Sequence, residues 1–193
     1  MTISTKDWVN YINKLAAINK KAADLMREYV QKNGFANTDE LMGYAHAVAT
    51  KYGEAAAELT CQMYEATAEA QGVIVRAAEP ADTPTFAEVA KTINGTKNSP
   101  ETMCNAIGRL TKRTGADTML KNALRDNAEF AWVPNADPCA FCITLASRGW
   151  QKMSKKALKN GHAEHIHANC DCQYAVRFDG KSNVSGYDPD KYL

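Results

Sequence analysis

The sequence has no long run of apolar residues and almost no net charge, and each absence excludes a class of protein. Its apolar runs all fall far short of the roughly 20 residues that a membrane-spanning helix needs. The stretch from Met1 to Lys6 lacks the charged and then apolar pattern of a signal peptide. Lysine and arginine number 23 against 22 acidic residues, so any binding to nucleic acid or anionic lipid has to be local. We therefore expect a soluble protein, made in the cytosol, with no membrane partner.

Three common catalytic signatures are also missing from the sequence. It contains no nucleophile elbow (G-x-S-x-G), no phosphate-binding loop (G-x-x-x-x-G-K-S/T) and no zinc-protease motif (H-E-x-x-H). It also has no internal repeat and no low-complexity tract. These absences favour a protein that is not an enzyme.

The first part of the chain has the apolar periodicity of two long helices. One stripe recurs at steps of three or four from Trp8 to Tyr29 and should end near Gly34. The second stripe follows Asn37, a typical helix-capping residue, and extends to Gln71. Because the link between them is short, residues 1–78 are predicted to form an antiparallel helical hairpin that serves as a docking region.

Residues 85–180 are predicted to form a second unit, after a linker around Pro80 that interrupts the helical pattern. Helix signals precede a region near its end whose aromatic and β-branched residues favour short strands. The predicted elements are helices at 85–95, 99–115 and 116–127 and strands at 130–133 and 174–178. The polar tail, 181–193, is predicted to be loosely ordered. The fold class is therefore mainly α, a long N-terminal helical hairpin followed by a small α+β C-terminal module.

The cysteines of this module have the spacing of metal ligands. Four of the six cysteines in the chain fall in two close pairs, and histidines precede the second pair. Zinc prefers four Cys or His ligands in a tetrahedron, and residues i and i+3 of a C-x-x-C turn can converge on one ion. We therefore predict one structural zinc per chain, with the ligands chosen from Cys139, Cys142, His167, Cys170 and Cys172.

The choice of four ligands among these five stays open at the level of sequence. His167 and Cys170 repeat the i, i+3 spacing, but Cys170 and Cys172 could also converge if Asp171 bulges outward. His165 lies close by in sequence. Disulfide bonds within the close pairs, or free thiols, are the alternatives to zinc.

A zinc-dependent enzyme that acts on nucleic acid is an alternative function. His162 and Glu164 form an H-x-E, and Pro138 begins a P-C-x-x-C, which together resemble the signature of zinc deaminases. In that family the H-x-E comes first, whereas here the order is reversed. The upstream sequence also lacks the alternating strands and helices of such a fold, which favours the structural zinc.

Two runs of like charge are candidate interaction surfaces. The acidic run on the second predicted helix suits either a solvated face or the docking of a basic partner. The basic run beside the cysteines suits either solubility or contact with DNA, which would make the protein a DNA-binding adaptor. Trp150 is the aromatic residue that accompanies the basic run. The acidic run consists of Glu54, Glu58, Glu65 and Glu69, and the basic run of Arg148, Lys152, Lys155, Lys156 and Lys159.

The order and spacing of these motifs resemble a known phage family. The sequence reads Cys139-Ala-Phe-Cys142, then Ser147-Arg-Gly-Trp150, then His167-Ala-Asn-Cys170-Asp-Cys172. It is similar to the C-terminal signature of MuF-type minor head proteins of tailed bacteriophages. The resemblance covers roughly residues 132–178, and Ala168 stands where many members have proline.

This resemblance implies a structural minor virion component or head-morphogenesis protein. It would associate with the portal, the major capsid protein or both, and would carry no catalysis of its own. The implied location is the phage head, reached from the host cytoplasm during assembly.

Overall fold

The N-terminal part of the computed structural model is a pair of long helices. The structure describes residues 3–135, 137–159, 161–163, 166–167, 170–184 and 186–193. Helix α1 spans Thr5–Asn33 and α2 spans Thr38–Gln71. Rings of Tyr29 and Tyr44 stack near the turn, and Tyr11 and Thr60 hydrogen-bond toward the other end. These contacts make the pair antiparallel and confirm the predicted hairpin.

Two more helices follow, and one of them is longer than the sequence suggests. Helix α3 spans Phe86–Thr96 and begins with the predicted capping box of Thr85 and Glu88. Helix α4 runs without a break over Pro100–Arg125, so the two helices predicted at 99–115 and 116–127 are wrong. At Gly115 a Cβ atom would lie 3.2 Å from Thr60 Oγ1. Gly115 therefore allows α4 to approach α2 closely and does not end the helix.

The C-terminal part contains a small antiparallel sheet. Strands β1 (Glu129–Val133), β2 (Gln151–Lys152) and β5 (Gln173–Arg177) lie in the order β2-β1-β5. A short helix, α5 (Ala140–Ala146), packs against β1, and β3 (Leu158–Lys159) pairs with β4 (His162–Ala163). Short 3₁₀ turns occupy 155–157 and 189–192. The two main strands flank the cysteines, as predicted, and the observed fold is a helical hairpin followed by a small α+β module.

Helix α4 links the hairpin to the sheet. It packs against α1 and α2 on one side and against β1, β4 and β5 on the other. One continuous core cluster contains Leu15 of α1, Leu120 of α4 and Trp132 of β1. A second cluster, with Met26, Leu41 and Ile107 among its members, fills the space between the first four helices. The division of the chain into units at 78 and 85 stays a prediction.

The segments at both margins of the predicted module make specific contacts. In the linker, the buried Asn122 side chain of α4 donates to the carbonyl oxygen of Glu79 at 2.8 Å and accepts from its N–H at 2.9 Å. In the tail, which the sequence suggests is loosely ordered, the structure instead buries Val184 and Tyr187. The Tyr187 hydroxyl donates to the carbonyl oxygen of Ala146 at 2.7 Å. This hydrogen bond and the burial explain why a polar segment packs against α5.

Candidate metal centre

The five predicted ligands come from two segments that the sheet brings together. Cys139 is the N-cap residue of α5, and Cys142 lies in its first turn and is fully buried. His167, Cys170 and Cys172 belong to the segment that leads into β5. Because α5 packs on β1 and β1 pairs with β5, the two segments meet beside the sheet.

The ligand atoms form two overlapping groups around Cys142. Cys139, Cys142 and His167 make one group, and Cys142, Cys170 and Cys172 make the other, with all ligand atoms of a group within 4.8 Å of one another. Cys139 Sγ lies 3.5 Å from His167 Nδ1, and Cys142 Sγ lies 3.2 Å from Cys170 Sγ. Two sulfurs bound tetrahedrally to zinc are about 3.8 Å apart. The observed separations are therefore close to those of a metal site.

The sulfurs are not joined as disulfides in the structure. All six cysteines are free thiols. The 3.2 Å between the sulfurs of Cys142 and Cys170 is well beyond a disulfide bond of about 2.05 Å. Cys61 and Cys104 are buried in α2 and α4, away from the cluster, as small apolar side chains.

The thiols of Cys142, Cys170 and Cys172 lie close together, so the ionisation of one thiol makes ionisation of the other two less favourable. Hydrogen bonding from Cys172 lowers the pKa of Cys170 to about 5. Burial and the interaction with Cys170 raise the pKa of Cys142 to about 12, and the interaction with Cys170 and burial raise the pKa of Cys172 as well. A divalent cation would allow all three thiols to ionise, since a coordinating thiol loses its proton.

One backbone N–H and one indole N–H lie beside the sulfurs, and both suit metal-bound thiolates. The backbone N–H of Asn135 donates to Cys172 Sγ at 3.3 Å. The indole N–H of Trp132 is buried beside Cys142, where it acts to lower the pKa of that thiol. A thiolate accepts such hydrogen bonds better than a thiol does. The residues around the cluster therefore fit a bound metal ion.

Comparison with known proteins places the chain in a family. A family model described as VG15 protein matches residues 2–193. The chain belongs to the VG15 protein family. This is a viral and phage family, so the chain is a phage-type protein. Comparison with curated proteins and with solved structures gave no match. Among the described residues of this VG15-family chain, none of the helices is long and apolar enough to cross a bilayer.

A buried lysine lies next to the cluster in this VG15-family chain, and sequence reasoning missed it. Lys112 of α4 is 2% exposed, and its Nζ donates to the carbonyl oxygen of His167 at 3.4 Å. Burial lowers the pKa of Lys112, while the neighbouring Cys170 and Asp171 act to raise it. Lysine is almost always at the surface, so no feature of the sequence places this one beside the sulfurs.

His162, the histidine of the deaminase-like motif, lies elsewhere in the VG15-family fold. Its Nδ1 is 2.7 Å from the Oδ2 atom of Asp117 in α4. His162 belongs to neither of the two groups of possible ligands found among the described residues. Glu164 and His165 lie outside the described residues. The structure thus brings together the five ligand candidates and places His162 with a carboxylate.

Proposed function

We propose that this VG15-family protein is a structural component of a phage particle, akin to MuF-type minor head proteins, whose C-terminal module is clamped by one zinc ion. The family match supports the phage assignment. The C-x-x-C and H-x-x-C-x-C spacing supports the finer assignment to a minor virion or head-morphogenesis protein. We further propose that the protein has no catalytic activity and resides in the phage head after assembly in the host cytoplasm.

The observation that supports a structural zinc site is the convergence of five ligand atoms from two segments of the chain. Four of them are enough to close a zinc tetrahedron, and a closed site leaves no position for a substrate or an activated water. The ion would tie α5 to the segment before β5, in which the described residues 166–167 and 170–172 belong to no helix or strand. A structural ion in such a place supplies folding free energy directly.

The first test is a metal and thiol analysis of protein purified without chelator. We expect about one zinc per chain, because the ligands can close one tetrahedron. Cys142→Ser should lose the zinc and lower the free energy of unfolding of the protein, since Cys142 is shared by both ligand groups. Cys61→Ser is the matched control, because Cys61 is also buried but lies in α2. Zinc-free protein with about two free thiols would show that disulfides form instead.

The hairpin supplies the proposed surface for assembly with the portal, the major capsid protein or both. Glu54, Glu58, Glu65 and Glu69 are all exposed on α2. Glu65 also accepts a hydrogen bond from the backbone N–H of Ala78 at 2.7 Å, so it has a role within the chain. The other three carboxylates offer negative charge to a basic partner, which aids encounter and orientation.

Charge reversal tests this surface. Glu58→Lys should reduce incorporation of the protein into phage heads, and the reduction should be larger at low salt, because exposed charges are screened over about 10 Å at 0.1 M salt. Glu28→Lys, at an exposed position of α1, is the control and should incorporate normally. Equal incorporation of both variants and the unmodified protein would argue that the acidic face is only solvated.

A further inference from the structure

A pocket of about 300 Å³ lies beside β1, its lining includes none of the five ligand candidates, and its walls differ in chemistry. One wall is aromatic, with side chains from the two paired strands. The other carries positive charge, with side chains from the segment after α5. The aromatic residues are Phe130, Trp132 and Tyr174, and the cations are Arg148, Lys152 and Lys156.

The aromatic wall is held by the sheet. Phe130 and Trp132 are two residues apart on β1 and so point to one face, and Tyr174 lies opposite Trp132 on β5. The ring centroids of Trp132 and Tyr174 are 4.6 Å apart, and those of Phe130 and Tyr174 are 5.8 Å apart. Phe130 is the partly exposed ring of the three. The wall is therefore a fixed surface with one ring available for stacking.

The three cations that line the pocket lack acidic partners among the described residues. Within the described residues, the side chains of Arg148, Lys152 and Lys156 have no hydrogen-bond or ion-pair partner, and no carboxylate lines the pocket. Elsewhere in the chain, arginines such as Arg27, Arg113 and Arg125 pair with acids. Three unpaired cations around one opening attract a ligand with concentrated negative charge.

The structure also divides the basic run of the sequence. Of its five members, three line this pocket, whereas Lys159 lines a separate groove between α3 and α4. Lys155 is exposed and lines neither. The run is thus a specific arrangement at one site and not a uniformly charged strip.

We propose that this pocket binds one nucleotide unit of single-stranded nucleic acid, with the base stacked on Phe130 and the phosphates held by Arg148, Lys152 and Lys156. An apolar ligand would not need three cations, and a simple anion would not need an aromatic wall. A nucleotide has both parts, and proteins bind single strands by combining aromatic stacking with positive charge along the backbone. The volume is at the small end of ligand sites and suits one unit, not a duplex. This inference does not depend on the virion role.

The test is fluorescence anisotropy of a labelled short oligothymidylate titrated with the full, zinc-loaded protein. We expect the single strand to bind tighter than a duplex of equal length. Lys152→Ala combined with Lys156→Ala should weaken binding about tenfold, because both phosphate contacts are lost. Lys155→Ala, the matched control in the same run, should change affinity less than about twofold. Phe130→Leu keeps an apolar side chain but removes the ring, and it should weaken binding by roughly tenfold.

Competition experiments distinguish the source of the nucleotide. Displacement of the strand by thymidine monophosphate indicates a site for free nucleotides, whereas displacement by unlabelled single strand alone indicates a site for a chain. Binding that is equal for duplex and single strand and unaffected by Phe130→Leu would overturn the proposal in favour of general phosphate contact. An equal loss from Lys155→Ala would overturn it as well. If Phe130→Leu loses zinc or helix content, an abasic oligomer of equal length replaces it as the probe of stacking. It should bind the unmodified protein about tenfold more weakly than oligothymidylate, and equal binding would overturn the proposal.

Discussion

Lys112 is a buried cation whose charge a metal centre would help to balance. A buried ammonium group costs several kcal/mol unless an opposite charge is near. Within the described part of the chain its one hydrogen bond goes to a carbonyl oxygen, and the groups that can supply negative charge near it are Asp171 and the thiols of the cluster. A zinc ion held by three or four thiolates leaves a net charge of about −1 or −2, which a buried cation would balance. Lys112 then supports the centre through charge without touching the metal.

Replacing Lys112 with Met tests this role at the residue scale. The zinc affinity should fall by about 10- to 100-fold, as is usual when a supporting residue outside the ligand set is removed. The metal-free form should be no less stable than before, because an apolar side chain of similar length costs less to bury than an ammonium group. Competition with a chromophoric chelator measures the affinity, and urea unfolding measures the stability.

Lys121→Met on the same helix is the control for this experiment. Lys121 is exposed, so its replacement should leave zinc affinity unchanged. Equal zinc affinity of Lys112→Met and unmodified protein would mean that the lysine only fills space beneath the cluster.

At the scale of elements, small residues decide how closely α4 packs. Gly53 of α2 and Gly108 of α4 each leave only 3.2 Å between a hypothetical Cβ and an atom of the facing helix, as Gly115 does. The facing atoms are Thr114 Oγ1 for Gly53 and the Asn19 carbonyl oxygen for Gly108. Glycine is therefore used in these helices for contact between helices, at some cost in helix propensity.

A pair of glycine substitutions separates the effect of helix propensity from the effect of close packing between helices. Gly43→Ala in α2 should raise the free energy of unfolding by about 1 kcal/mol, because nothing lies within 4 Å of the new Cβ and alanine favours the helix. Gly115→Ala should lower it by about 1–3 kcal/mol through overpacking. Thr60, the residue that Gly115 faces, is fully buried. Its hydroxyl forms hydrogen bonds with the carbonyl oxygen of Ala56 and the hydroxyl of Tyr11, so it has little room to move.

Urea unfolding of the two glycine variants side by side gives the measurement. Equal stabilisation by both alanines would show that α2 and α4 adjust to the added methyl group without loss of stability.

At the scale of the whole molecule, the hairpin and the module share one core. Leu15 and Tyr64 from the hairpin lie in the same cluster as Trp132 and Tyr174 from the sheet. Tyr64 also forms an edge-to-face contact with Phe178, with ring centroids 5.2 Å apart. Contacts of this extent across the predicted boundary favour cooperative unfolding.

We therefore expect loss of helix and release of zinc to occur in the same urea transition. Circular dichroism follows the helices, most of which lie in the hairpin and α4, and a chromophoric chelator follows the zinc. Coincident curves support a single cooperative unit. Release of zinc at clearly lower urea, with the helical signal intact, would support the two separate units that the linker at Pro80 suggests.

The local elements of this protein follow from its sequence. The caps at Asn37 and at Thr85 with Glu88 act over three residues, so they define where α2 and α3 begin whatever else the chain does. The apolar stripe from Trp8 to Tyr29 needs only the helical period to indicate a helix. The C-x-x-C and the second cysteine pair likewise place candidate ligands by short spacing alone.

Contacts between distant residues decided the rest. Gly115 looks like a helix end in sequence, and only the approach of Thr60 shows why α4 continues through it. Lys112 meets the cysteines because α4 passes beneath the segment before β5, 55 residues further along the chain. The aromatic wall of the pocket needs β1 and β5 to pair, which places Trp132 opposite Tyr174, 42 residues further along the chain. Short-range spacing carries no information on such pairings, since they depend on how the helices and the sheet pack on one another.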